Sequence, residues 1–228
     1  MNNSIKKTGT ISAVIGFVSF IVYTLCFIAI FIVNEPYVWQ GLEHFIEYEN
    51  TSTAVFKYVG MACMLIYSIA FFIAVSGIAF QASDEKRIFA KLAKSTALAF
   101  MLLISVAYFV QMTATRLQLL AGNSDGLLQI TQSYNISAIN AINMLGWTVF
   151  YPLACLFMMH CLNKKVAKAF CLATAISMLI GLIGYMTNSF IVLLITMNLL
   201  LGGCSFGLII CLLSHFKKSG ESNLQGTA

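Results

Sequence analysis

Charge is scarce in this chain of 228 residues: 9% are Asp, Glu, Lys or Arg, whereas 60% are hydrophobic, and the mean hydropathy is +0.88. A soluble core of this length cannot hide so much apolar surface, so a water-soluble globule is excluded and the chain reads as an integral membrane protein. Proline is almost absent, with Pro36 and Pro152 alone. Together with the lack of strict polar and apolar alternation, this excludes lipid-facing barrel strands and leaves helices as the spanning elements. The acidic residues fall outside the apolar runs. Ion-coupled pumping, which draws on buried carboxylates, is therefore disfavoured.

Catalytic and metal motifs are missing too. There is no HExxH, no GxSxG and no pair of aspartates, so an intramembrane enzyme remains an alternative without recognisable machinery. The cysteines, Cys26, Cys63, Cys155, Cys161, Cys171, Cys204 and Cys211, sit singly in apolar runs and read as small buried hydrophobes. Glu43, His44 and Glu47 could offer metal ligands, but Glu43 and His44 are adjacent and point apart, and no second cluster completes a shell. No metal and no cofactor is expected. Nor is nucleic acid, because the net charge of +5 comes mostly from lysines in short loops beside the spans.

What is present is length. Six apolar runs reach the ~20 residues needed to cross hydrocarbon, near 10–33, 54–80, 97–118, 139–162, 167–187 and 190–214. They predict one all-α domain, a polytopic bundle over 10–215, after a short segment at 1–9 and before a loose polar tail at 216–228. Lys6, Lys7, Lys86, Arg87, Lys91, Lys94, Lys164, Lys165, Lys168, Lys217 and Lys218 fall at every second crossing, leaving only Lys57 and Arg116 of the thirteen basic residues elsewhere. By the positive-inside rule both termini are expected in the cytoplasm, in a plasma or bacterial inner membrane, with the lipid bilayer as first partner. The first external connection predicts an amphipathic surface helix near 36–49, started by Asn34, with Trp39, Leu42, Phe45 and Ile46 on one side.

Polar side chains gather at the outer ends of the spans. On the third, Tyr108, Gln111 and Thr115 share a face, and Arg116 follows at the boundary. Gln111 lies roughly 7–8 Å deeper than the guanidinium, so its amide is expected to bond to other helices rather than face lipid. Arg116 has two readings: an anchor at the headgroups near a helix C-terminus, or a ligand contact or ion pair with Glu43 or Glu47 across the mouth. On the fourth span Asn140, Asn143, Trp147 and Tyr151 form one stripe, with Pro152 placed to kink the helix below it. Asn188 and Asn198 bring amides from the last hairpin. These groups predict an outward-facing polar pocket among the third, fourth and sixth spans.

The passages "YFVQMTATRLQLLAGNSDGLLQI" and "NISAINAINMLGWTVFYPLACLFM" resemble a loose group of uncharacterised bacterial multi-pass membrane proteins of the domain-of-unknown-function type. The likeness lies in Gln111 and Arg116 at a helix end, then Leu145, Gly146 and Trp147 in the next helix. It covers the middle third of the chain and implies six to seven membrane helices. It implies no reaction.

The leading expectation is a non-enzymatic protein that binds, senses or transports a small molecule through that pocket, with Gln111, Arg116, Tyr108, Asn140, Asn143, Trp147 and Asn198 as candidate ligand contacts. The alternative is an accessory or scaffolding subunit. It would meet a membrane-protein partner or a second copy of itself through the GxxxG surface of Gly203 and Gly207.

Overall fold

The computed structural model describes residues 3–34 and 37–218. It is helical throughout, without a strand among the described residues. Six of its helices are long and apolar enough to cross a membrane. They are α1 (Asn3–Val33), α3 (Val55–Gln81), α4 (Asp84–Leu120), α6 (Ala138–Cys161), α7 (Lys165–Met186) and α8 (190–218). Two short helices, α2 (Leu42–Thr51) and α5 (Leu127–Ile130), lie in the two long connections. The expected third span begins earlier than hydropathy indicates. A single tight turn at Asp84–Lys86 runs straight into helix, so Lys91 and Lys94 sit on α4, and the Lys94 ammonium lies 5.1 Å over the Phe80 ring. At the other end of the chain, helix continues to Lys218; the rest of the expected tail, 219–228, lies outside the described residues.

The spanning helices form a ring in chain order. α1 packs on α3, α3 on α4, α4 on α6, α6 on α7 and α7 on α8, and α8 returns to α1. Outward faces carry exposed Leu25, Ile32, Phe80, Phe109 and Ile183, which water would not tolerate as a continuous apolar surface. Inside, Tyr67, Phe71, Phe100, Trp147 and Tyr151 pack ring against ring and fill the centre. Aromatics bury large areas and need few partners for their polar tips, which suits a core that must exclude both lipid and water.

The lysine-rich connections meet at one end of the ring, together with the start of α1 and the end of α8. The Lys86 ammonium donates to Asn163 Oδ1 at 3.2 Å, and Lys164 donates to Ser214 Oγ at 2.8 Å. Phe216, fully buried, wedges its ring against Gly9 of α1 and Gly77 of α3; a Cβ on Gly77 would stand 3.2 Å from that ring, and one on Gly9 would overlap it. The first of the six long helices therefore starts, and the last ends, at the same end of the ring.

At the opposite end, here called the loop end, one expectation is corrected. Asn34 starts no helix. Its Oδ1 accepts from the Thr53 amide at 2.9 Å and its Nδ2 donates to the Thr53 carbonyl at 3.2 Å, tying the end of α1 to the start of α3. The surface helix begins only at Leu42, after Gly41 with φ +124, a conformation that glycine adopts freely. Trp39 precedes it and stacks on Tyr134 at 4.8 Å, while Phe45 points into the protein. Glu35 and Pro36 lie outside the described residues.

Three helices widen to a π-helical turn on their way from the loop end: α4 at Gln111–Thr115, α6 at Gly146–Phe150 and α8 at Ile195–Leu200. For α6 the cause is visible in the sequence. Pro152 has no N–H and its ring crowds the carbonyl four residues earlier, at Thr148, so a wider turn just before it relieves the clash.

Candidate functional site

A chamber of about 530 Å³ opens inside the loop-end half of the bundle. Its size falls in the ~300–1,000 Å³ range of small-molecule sites. α1 supplies Phe20, Tyr23, Thr24 and Phe27, spaced at three and four so that they share one face. Tyr108 comes from α4, Asn143 and Trp147 from α6, and Met197, Leu201, Gly202, Gly203 and Phe206 from α8. Gln132, from the connection after α5, sits over the loop end. No charged side chain among the described residues lines it.

Trp147 is held from beneath. Its ring lies 5.0 Å from Phe100, 5.4 Å from Tyr151 and 6.3 Å from Tyr67, centre to centre. Below these rings the Tyr67 and Tyr151 hydroxyls are 2.7 Å apart, and the Tyr151 hydroxyl is 2.9 Å from Ser205 Oγ. The floor is therefore pinned by hydrogen bonds among α3, α6 and α8. Near the loop end the polar groups are Tyr108, Gln132 and Asn143. Thr24 spends its hydroxyl on the Phe20 carbonyl, 2.9 Å away in its own helix. Asn143 is 5% exposed, and its Oδ1 has no hydrogen-bond partner among the described residues.

A narrower space of about 170 Å³ adjoins the chamber, sharing Tyr23, Phe27, Tyr108 and Gln132 and reaching Lys57. Lys57 is already engaged: it donates to Glu49, forming an ion pair at the base of α2, and lies 5.7 Å over the Phe45 ring.

Of the candidate contacts named from the sequence, Tyr108, Asn143 and Trp147 come together in the chamber, and Gln111, Asn140 and Arg116 go elsewhere. Gln111, 3% exposed, donates to the Ile130 carbonyl and accepts from the Gln132 amide at 3.1 Å. Thr115 donates to the same Ile130 carbonyl at 3.0 Å. Gln111 is thus buried within the protein, and its partners are Ile130 at the end of the short helix α5 and the backbone just after it, not another of the six long helices. The π-helical turn presents Gln111 and Thr115 side by side for this purpose. Asn140 also serves the connection, its Nδ2 donating to the Asn135 carbonyl at 3.1 Å. Ser137 caps α6 by accepting from the Asn140 amide at 3.1 Å. Asn135 donates to Asn188 Oδ1 at 3.1 Å, joining the connection to the α7–α8 turn. Asn198 lies in the π-helical turn of α8, and its side chain is outside the described residues.

Arg116 faces a separate space of about 470 Å³ between α2, α3 and α4, lined also by Glu49, Asn50 and Tyr58. Its guanidinium carbon lies 5.3 Å over the Tyr58 ring. Among the described residues neither Glu43 nor Glu47 forms an ion pair with it, and the acid nearest this space is Glu49. The GxxxG glycines divide as well. Gly207 is packed against Phe170 of α7, whereas a Cβ on Gly203 or Gly202 would meet nothing within 4 Å.

Sequence reasoning missed the α1 wall and the hydroxyl chain. Phe20, Tyr23 and Phe27 carry the three-and-four spacing of a single face, but aromatics facing a chamber and aromatics facing lipid look alike in a sequence. All seven cysteines are free. Among the described residues no three His, Cys, Asp or Glu side chains gather to hold a metal ion. No protein-family model matches the chain, and no curated protein and no solved structure is significantly similar to it.

Proposed function

We propose that this is a multi-pass cell-membrane protein, with both termini in the cytoplasm, that binds a small and largely apolar molecule in the chamber for sensing or transport. The observation that carries the reading is the chamber itself: six aromatic rings, from Phe20, Tyr23, Phe27, Tyr108, Trp147 and Phe206, surround an uncharged space with its hydrogen-bonding groups at one end. The orientation rests on the lysines collected at the opposite end. Loop and chamber mouth then belong to the outer leaflet.

Trp147 reports on occupancy. The Trp39→Phe variant leaves it as the sole tryptophan. Its fluorescence is expected to be quenched saturably by at least one of a series of brominated dodecyl compounds differing in headgroup. Gly202→Leu, which fills open space in the wall, should abolish the saturable part. Quenching that rises linearly and equally in both variants for every probe would remove the proposal. Reporter fusions after Lys218 and in the turn at 123–126 should fall on opposite sides of the membrane, with the Lys218 fusion cytoplasmic.

A further inference from the structure

We infer that the space between α2, α3 and α4 at the loop end is a site for an anionic phospholipid, whose phosphodiester is held by Arg116 and whose chains lie along α3 and α4. The space shares no lining residue with the chamber, so the inference stands apart from the reading of the chamber as a ligand site.

The charge of the ligand follows from the groups around one ring. The Lys57 ammonium lies 6.0 Å from the centre of the Tyr58 ring, and the Arg116 guanidinium carbon lies 5.3 Å from it. One carboxylate serves both cations, and it is spent: Glu49 of α2 pairs with Lys57. Among the described residues Arg116 forms no ion pair and donates no hydrogen bond. Glu43 and Glu47, the other acids of α2, do not line the space. A positive charge is therefore in excess there. It sits on a side chain whose planar fork of N–H donors matches two phosphate oxygens at once. The contact with Tyr58 restricts where the guanidinium can go, which lowers the cost of ordering it on a ligand.

That the anion belongs to a lipid follows from the rest of the wall. Val55 and Val59 come from the first turns of α3, and Leu119 and Leu120 end α4. Val55, Val59 and Leu120 are exposed. A dissolved ion on Arg116 would leave these aliphatic side chains bare, whereas acyl chains cover them. Asn50, exposed in the last turn of α2, lines the same space and offers an amide to neutral headgroup hydroxyls. Phosphatidylcholine would bring a cation of its own to a space whose lining carboxylate already has a partner. Phosphatidylglycerol brings only the phosphate and hydroxyls, so it is the better match.

The test reads lipid choice at the site itself. Trp39→Phe and Trp147→Phe remove both native tryptophans, and Leu120→Trp places one at the edge of the space. In phosphatidylcholine nanodiscs the introduced tryptophan is quenched by dibrominated phosphatidylglycerol or, in parallel, by dibrominated phosphatidylcholine with the same chains. The relative binding constant is expected to favour phosphatidylglycerol about fivefold, the gain that one arginine near a membrane surface provides, and Arg116→Gln should bring it to within about twofold of unity. Equal quenching by the two lipids in the Arg116 protein would overturn the inference. A preference that survives Arg116→Gln undiminished would overturn it as well. Excess glycerol 3-phosphate in the buffer should leave the preference intact; its loss would assign the space to a dissolved phosphate and overturn the lipid. The chain with its native tryptophans gives a second measurement should the tryptophan variant fail to fold. Released from nanodiscs of equal phosphatidylglycerol and phosphatidylcholine into native mass spectrometry, it should retain more phosphatidylglycerol than the Arg116→Gln protein does, and identical adducts would contradict the site.

Discussion

Tyr67 of α3 and Tyr151 of α6 share a hydroxyl–hydroxyl hydrogen bond of 2.7 Å at the centre of the bundle, both side chains being fully enclosed. Tyr151 is the middle member of the chain, because Ser205 of α8 stands 2.9 Å from it on the other side. Interhelical hydrogen bonds in membranes average ~0.6 kcal/mol. Tyr67→Phe removes one such bond and should cost about that much. Tyr151→Phe removes two and strands the hydroxyls of Tyr67 and Ser205, for about 1–3 kcal/mol. Unfolding in mixed micelles with increasing dodecyl sulfate checks the order. Equal costs would mean that Tyr151 is not the hub.

Gln111 governs the connection over the chamber. Replacement by Leu leaves the Gln132 amide without its acceptor and takes one of two donors from the Ile130 carbonyl. Hydrogen exchange across 127–132 should rise by about tenfold or more, with little change in the lower half of α4. Gln111→Glu keeps an acceptor for Gln132 and should lie between Leu and the native residue.

The seating of Phe216 between Gly9 and Gly77 predicts two kinds of damage. Phe216→Ala opens a cavity and should cost about 3–5 kcal/mol. Gly9→Val drives atoms into the ring and should cost about 1–3 kcal/mol. Combined, the two changes should be less harmful than their sum, since the smaller residue at 216 makes room for valine. A double-mutant cycle by the same micelle titration measures that coupling; strict additivity would contradict the wedge.

Charge coupling at the loop end should follow the observed pairing. Glu49, its side chain 5% exposed, pairs with Lys57, and Arg116 lies over Tyr58. A cycle of Glu49→Gln and Lys57→Met should give a coupling on the order of 1 kcal/mol, whereas Glu47 and Arg116 should be additive within ~0.3–0.5 kcal/mol. Tyr58→Leu should weaken the hold on Arg116 by about 0.5–1 kcal/mol.

Span positions were legible because crossing a bilayer demands a length and a composition that nothing else in the chain imitates. The gathering of lysines at one end was legible for the same reason, and Lys86 and Lys164 do meet there with the start of α1 and the end of α8. Polarity near the opposite end could be read, but partners could not. Gln111 is inside the protein as its burial cost demands, yet the group that satisfies it comes from Ile130 and Gln132, in a segment without periodicity. Trp147 and Asn143 were found from a helical stripe that continues to Tyr151. Tyr67 was not, since a lone tyrosine in an apolar run carries no sign of facing another. The π-helical turns at 111–115 and 195–200 have no compositional marker, and only the one at 146–150 is announced, by Pro152.

The ring has a consequence for how the chain is made. Every wall but one joins helices that follow each other in the sequence, so each newly inserted hairpin finds its neighbour already in place as synthesis proceeds. The junction of α1 with α8 waits for the final helix to leave the ribosome. During that interval the aromatic face of α1 lacks the wall that α8 gives it, so the chamber is complete only when the last helix has arrived.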